Sequence, residues 1–431
     1  MNKSKKIKLQ RWLIIIIMSV SLLITSGCQA NNKTENGITK ITFWHGINPP
    51  ENRDIFNNLL AKFNESQEQI KVEALYIGQP DEQLPKILSA VVGGKPPNLL
   101  WYVPQLTGEL VKFNAIIPLE EWLETSGLKA QIDPGMLETM ELNGHFWSVP
   151  LATNNAAMFY RPSLFEKAGI TETPKNWAEL REVAGKLTKD TDGDGRPDQY
   201  GLLLSLGKGE WNVFVWLPFI FSAGGEIIQD NKPNLVNDGT IKTLQFANDL
   251  VNKDQVAILS APERGYELDN FINGKVAMQI TGPWTLAQLK QANIDYNVFP
   301  IPALETPAAV VGGENLFVFK TTPDAEAATQ KFLEYLLGEE FQKNWALQTG
   351  YLPINIKAQQ SPEYQANLQE NPVLAVFLQQ MQWARSRPII PGYTKISENL
   401  GRAIEASLLG EKTPKTALEE AQKRLEIELY Q

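Results

Sequence analysis

Nine residues hold the densest chemistry of the chain. Asp190-Thr191-Asp192-Gly193-Asp194-Gly195-Arg196-Pro197-Asp198 sets carboxylates at loop positions 1, 3, 5 and 9, with glycine at position 6. Hard oxygen ligands at that spacing, with a glycine for the sharp turn, form the pattern of a calcium loop. Gly201 stands where the twelfth-position glutamate belongs, so a distant carboxylate would have to complete the shell. Such an ion would staple the loop rather than catalyse; the alternative is a solvated acidic turn. Other reactive constellations are scarce. The chain has two histidines, His45 and His145, and one cysteine, Cys28. It lacks a His-Glu-x-x-His zinc helix, a phosphate-cradling Gly-x-x-x-x-Gly-Lys-Ser/Thr and a Gly-x-Ser-x-Gly elbow. Paired carboxylates for glycoside cleavage stay open, since any two can meet in space. A glycosidase therefore stays open from sequence.

Binding chemistry is better supplied. Eleven tryptophans and eleven tyrosines offer flat apolar faces, and a sugar ring presents a patch of C–H groups that such faces cover. The first residues say where this would happen. A basic head (Lys3, Lys5, Lys6, Lys8, Arg11) precedes an apolar run from Trp12 to Ile24, then Thr25-Ser26-Gly27-Cys28. That is the layout of a secretory leader, residues 1–27, ending at a lipidation cysteine. A lone cysteine makes no internal disulfide, so acylation of Cys28 is the expected use. An uncleaved anchor is the alternative, but the run is shorter than the roughly 20 residues a spanning helix needs. The protein is expected outside the cytoplasm, tethered at the membrane and facing periplasm or extracellular space. Without the leader's five basic residues, the net charge of −9 becomes about −14. An acidic surface excludes nucleic acid as a partner.

Residues 28–37 are polar and read as a tether. A regular alternation follows. Ile38–Trp44 reads as a strand, 54–63 as a helix, 71–77 as a strand, 84–91 as a helix and 98–103 as a strand. That order predicts an α/β fold with doubly wound, mostly parallel sheets, and ligands beyond the carboxyl ends of their strands. A second unit starts near Val149-Pro150. The apolar stretch Val213–Phe221 contains Pro218 and reads as buried core or cleft wall.

Several local patterns then share one resemblance. They are Phe43-Trp44-His45, Gly94-Lys95-Pro96-Pro97-Asn98, Tyr160-Arg161-Pro162-Ser163-Leu164-Phe165, Phe271-Ile272-Asn273-Gly274-Lys275-Val276-Ala277-Met278 and Thr349-Gly350-Tyr351-Leu352-Pro353. Their order resembles the extracellular solute-binding proteins of ABC importers, the carbohydrate branch that includes maltose- and glycerol-phosphate-binding proteins. The resemblance implies a two-lobed periplasmic-binding-protein fold, no catalysis, and a monomer that delivers its ligand to a membrane permease. It places chain crossings near 150–154, 302–312 and 350–353. One lobe then combines 38–150 with 306–350, the other 154–303 with 354–431.

Within that frame, Trp284 after Gly282-Pro283 is the leading candidate for stacking on a sugar. Tyr351 and Tyr393 are further candidates. Trp216 or Trp211 faces the cleft while the other is core, with Trp216 preferred. His45 and Gln79 end the first two strands, and Gln105 follows the third. Asn154 and Asn155 sit on the first crossing, and Gly313 and Glu314 lie beside the second. His145 reads as a structural hairpin residue. The glycerol-phosphate branch commonly has an arginine late in the chain, which the stretch Pro391–Lys395 lacks, although Arg385 and Arg387 are near. A neutral mono-, di- or oligosaccharide or a sugar-like osmolyte is expected, with a glycerol-phosphate ligand as the alternative.

Overall fold

The structure, a computed structural model, describes residues 37–207, 209–230, 232–261 and 268–430. The leader, residues 28–36 of the tether and Cys28 lie outside the described residues. β1 (Thr39–His45) alternates, so Ile41 and Phe43 are fully buried while Lys40 and Thr42 face out. α1 (Pro50–Glu65) starts on a proline, whose missing N–H costs nothing in the first turn, and buries Phe56, Leu59, Leu60 and Phe63. β2 (Ile70–Tyr76), α2 (Pro80–Val92) and β3 (Leu99–Tyr102) continue the alternation, and β1 pairs in parallel with both β2 and β3. A short helix, α3 (Thr107–Lys112), and a hairpin holding His145 lead to β4 (Val149–Pro150). Asn143 and Gly144 both take positive φ at that hairpin, which suits a tight two-residue turn.

The second sheet is made by β5 (Ala157–Tyr160), β6 (Tyr200–Leu204), β7 (Ala257–Leu259), β8 (Val276–Thr281) and β9 (Asn297–Phe299). Its order is β7-β6-β8-β5-β9, with β6, β7 and β8 parallel and β5 antiparallel to both neighbours. The chain then returns to the first sheet. β10 (Asn315–Val318) inserts antiparallel between β3 and β4, giving the order β2-β1-β3-β10-β4. Each sheet thus has a parallel half and an antiparallel half. Helices at Pro323–Leu337 and Glu339–Thr349 cover the first sheet, packing on β1 and α1 respectively.

The helix α4 (Glu210–Ser222) follows β6 and is buried from Asn212 to Ser222. A helix that is apolar all round belongs inside a protein. Pro218 sits within it; its ring removes one hydrogen bond, and close packing on every side holds the helix together. The C-terminal helices α5 (Tyr393–Leu408) and α6 (Pro414–Tyr430) pair with each other, and α5 lies on α4. Among the described residues, no helix is long and apolar enough to cross a membrane.

The three segments expected as crossings run side by side. Thr153 and Leu352 exchange backbone hydrogen bonds of 3.0 Å each, and the Gly312 N–H donates to the Asn154 carbonyl at 2.8 Å. The lobe boundaries differ from those expected. Helices at 356–360 and 362–370 pack on Glu339–Thr349 of the first lobe, so the segment 350–353 meets the other two and turns back, and the chain passes to the second lobe only before Val373–Met381 reaches β9. Ala309–Val310 pairs with Ala384–Arg385 and lies against α4, on the second lobe. Amphipathic helices show a buried face in sequence, but not which sheet that face covers.

Candidate functional site

The carboxyl ends of the strands from both sheets converge on one interlobe cavity. It has an empty volume of about 570 Å³, part of it open to solvent. From the first lobe, Gly46 and Asn48 follow β1, Gln79 follows β2, and Trp101 and Val103 end β3. From the second, Glu210, Trp211 and Phe214 sit on the first turns of α4, and Trp284 follows β8. Asn154, Gly312, Gly313, Glu314 and Tyr351 come from the crossings, and Arg387 from the segment before α5.

The aromatic side chains form a corner. Trp211 and Trp284 meet edge to face with centroids 5.5 Å apart, and Phe214 stands 5.8 Å from Trp211 and 6.5 Å from Trp284. Gly282 is what lets Trp284 fold back. A Cβ at position 282 would lie 2.0 Å from the indole carbon Cζ3. The crossing glycines act likewise. A Cβ on Gly312 would meet Asn154 Oδ1 at 2.1 Å, and Gly313 takes φ +104°, a conformation that side chains rarely adopt. Trp101 and Tyr351 add two more rings to the lining.

The charged part of the wall is held from behind. Arg387 Nη1 donates to Glu210 Oε1, Ser397 Oγ donates to Glu210 Oε2, and the Tyr393 hydroxyl donates to Glu210 Oε1 at 3.1 Å. The Arg387 guanidinium also lies 5.0 Å from the Phe214 ring centroid. Burial and the Glu210 charge push the Tyr393 hydroxyl well above its ordinary pKa, so it stays a donor.

Gln79, Asn154, Trp284, Gly313, Glu314 and Tyr351 therefore meet in one cavity. Three expected contact residues do not reach it. His45 is 3% exposed, packed between Phe43, Phe56 and Tyr76, and its Nδ1 accepts from the Ile47 N–H at 3.3 Å. Burial, then the Arg53 charge, lowers its pKa to about 4. The strand alternation turns its side chain into the core. Trp216 donates to the Ser205 carbonyl at 3.1 Å and to Asn212 Oδ1 at 3.2 Å inside the second lobe. Trp211 takes the cleft position instead, because five helical steps rotate a side chain by roughly 140°. Tyr393 is 1% exposed and backs Glu210 rather than facing the cavity.

Of the secondary candidates, Gln105 is buried and donates to the Arg387 carbonyl at 3.4 Å. Asn155 is tied to the Phe377 carbonyl and Gln380. The sequence does not single out Glu210, and it reaches Phe214 only within the stretch Val213–Phe221, read as core or cleft wall. An acidic residue opening an otherwise apolar buried helix was the available signal for Glu210.

The lobes touch beside the cavity. Asn52 Nδ2 of α1 donates to the Trp284 carbonyl at 3.1 Å, and Thr394 Oγ1 of α5 donates to Glu109 Oε1 of α3 at 2.8 Å. The acidic loop lies elsewhere. Asp190, Asp192 and Asp194 bring carboxylate oxygens within 4.8 Å of one another. Asp198 turns away to accept from the Thr191 N–H at 2.7 Å and from its hydroxyl. Three carboxylates gather as part of a calcium shell would require, and Asp190, Asp192 and Asp194, like Asp198, also accept backbone N–H groups of the loop.

Two α/β lobes, adjacent connecting segments and a cavity between the lobes define the architecture of a solute-binding protein. The family model for bacterial extracellular solute-binding proteins matches residues 58–371, more than half of the chain, and the chain belongs to that family. A solute-binding protein of an ABC transporter from Thermotoga lettingae, solved with α-D-tagatose, superposes with TM-score 0.80 at 27% identity, over 90% of this chain and 98% of that one. A maltose/maltodextrin-binding domain from Bdellovibrio bacteriovorus, bound to maltotriose, gives TM-score 0.81 at 26% identity, over 91% and 100%. An sn-glycerol-3-phosphate-binding periplasmic protein of Salmonella typhimurium is 26% identical over 410 residues, 89% of this chain and 91% of that protein.

Proposed function

We propose that this chain captures a sugar between its lobes and passes it, unaltered, to the membrane permease of an ABC importer. The observation that carries the reading is the cavity wall. Trp101, Trp211, Phe214, Trp284 and Tyr351 supply ring faces, while Gln79, Asn154 and Glu314 supply hydrogen-bonding groups at their margins. Sugars need both, since burying a ring face is favourable by about 25 cal/mol per Å² and an unpaired buried hydroxyl costs roughly 1–3 kcal/mol. Relatives that bind tagatose and maltotriose point the same way. A mono-, di- or oligosaccharide or sugar-like osmolyte fits. The glycerol-phosphate relative supports a second ligand class, but the arginine of the cavity wall is already paired with Glu210.

The fuller reading is of a monomer without catalytic activity, exported and tethered by acylated Cys28. Asp190, Asp192 and Asp194 would hold a structural calcium ion. A thermal-shift screen tests the central claim. Sugars, polyols and phosphorylated glycerols are added to the purified mature chain, and the raising ligand is recovered and analysed. A sugar should raise the melting temperature and be recovered intact, because a ligand that binds only the folded form stabilises it. Failure of every sugar to do so, or recovery of a cleaved product, refutes the reading.

A further inference from the structure

The charged side chains of the cavity wall are Glu210, Glu314 and Arg387. Their sum is one negative charge. Arg387 is the only arginine or lysine among the described lining residues, and it is not at liberty to meet an anion. Its side chain is 3% exposed, its Nη1 is held by Glu210, and its guanidinium rests over Phe214. Glu210 is fixed in turn by Tyr393 and Ser397. The nearby cation Arg53 is also engaged, by the Ile47 carbonyl at 3.2 Å, Asn48 Oδ1 at 3.0 Å and the Tyr76 ring.

We infer that Glu210 sets the charge selectivity of this site, by neutralising Arg387 so that uncharged polyhydroxylated ligands enter and their phosphorylated counterparts are refused. This rests on the sugar-binding reading and specifies its ligand class. An arginine that faces a phosphate makes a forked, charge-assisted pair with two oxygens. Here one arm of the fork, Nη1, is taken by a carboxylate. A phosphate that reached Arg387 would stand beside the Glu210 carboxylate already paired with it, and the two negative charges would repel. Glu314 adds repulsion from the crossing side. Arg387 Nε is buried and lacks a hydrogen-bond partner.

The test measures dissociation constants by calorimetry for matched probes: glucose and glucose 1-phosphate, maltose and maltose 1-phosphate, glycerol and sn-glycerol 3-phosphate. For the wild type, the best neutral sugar should bind at least about a hundredfold tighter than its phosphate. Glu210→Gln keeps one oxygen, which can accept from Tyr393 or from Ser397, since the two donate to different carboxylate oxygens, and it releases the Arg387 charge. It should improve the phosphate-to-neutral affinity ratio by about tenfold or more, and the gain should shrink with added salt. The double variant Glu210→Gln/Arg387→Gln should lose the gain. If Glu210→Gln does not fold, the wild-type ratio alone decides. Equal or tighter binding of the phosphate by the wild type overturns the inference, as does an unchanged ratio in a folded Glu210→Gln. Binding of a neutral sugar with either of those results leaves the sugar reading standing, whereas no neutral sugar binding at all sinks both.

Discussion

His45 gives the sharpest physical prediction. It is buried among Phe43, Phe56 and Tyr76 with a pKa lowered from a histidine's ordinary 6.5 to about 4. Between those values the unfolded chain binds a proton that the folded chain refuses. Stability from this group is therefore complete above pH 6.5 and is lost as pH falls towards 4. At about 1.4 kcal/mol per pH unit, the whole gap corresponds to roughly 3 kcal/mol, and about 2 kcal/mol of it is gone by pH 5. The perturbation is His45→Gln, whose amide oxygen can still accept from the Ile47 N–H. The assay is urea unfolding of both proteins from pH 7.5 to 4.5. The variant starts less stable, so the readout is the slope. Wild type should lose about 2 kcal/mol more than the variant between pH 7 and pH 5. Carboxylates contribute equally to both curves and cancel. With two histidines in the chain, the ring proton signals are few enough to follow singly, and His145 is exposed. Parallel stability curves, or a His45 signal that titrates near pH 6.5, would refute the reasoning.

Trp284→Ala should weaken binding of the sugar found by the thermal-shift screen by about tenfold or more, roughly 1.4 kcal/mol; an unchanged dissociation constant would remove Trp284 from the site. Glu109→Ala breaks the bond with Thr394 that joins the lobes, and should raise the dissociation rate by about fivefold, close to 1 kcal/mol. Burial holds the Glu109 carboxyl above its usual pKa, so Glu109→Gln should behave more like wild type, and a dissociation rate as fast as that of Glu109→Ala would show that the charge itself matters. Calcium should raise the melting temperature of the wild type and not of Asp190→Asn. Equal responses would leave the acidic loop as a solvated turn.

Much of the site was readable because strand ends and crossings are marked by residue type. Gly282-Pro283 announces a turn after β8, so Trp284 was found, and Gly312-Gly313 marks backbone that must pass close to a neighbour. The first five elements followed from apolar spacing alone. The parts that escaped depend on pairings across long stretches of chain. Glu210 and Arg387 are 177 residues apart and meet only because α5 lies on α4. Trp211 and Trp216 could not be told apart because α4 is apolar on nearly every side and shows no polar face to fix its rotation. His45 looked like a contact because it ends a strand, but alternation along β1 assigns it to the inner face. The antiparallel entry of β10 was invisible for a similar reason: a four-residue buried strand carries no sign of its direction.

The geometry of β1 has one more consequence. Its amino end, Thr39, lies at the pole of the first lobe opposite the cavity, because ligand groups gather at the carboxyl ends. Seven extended residues span about 20 Å. If Cys28 is acylated as proposed, the mooring would join the first lobe at the end remote from the cavity and so would not stand in the way of a ligand.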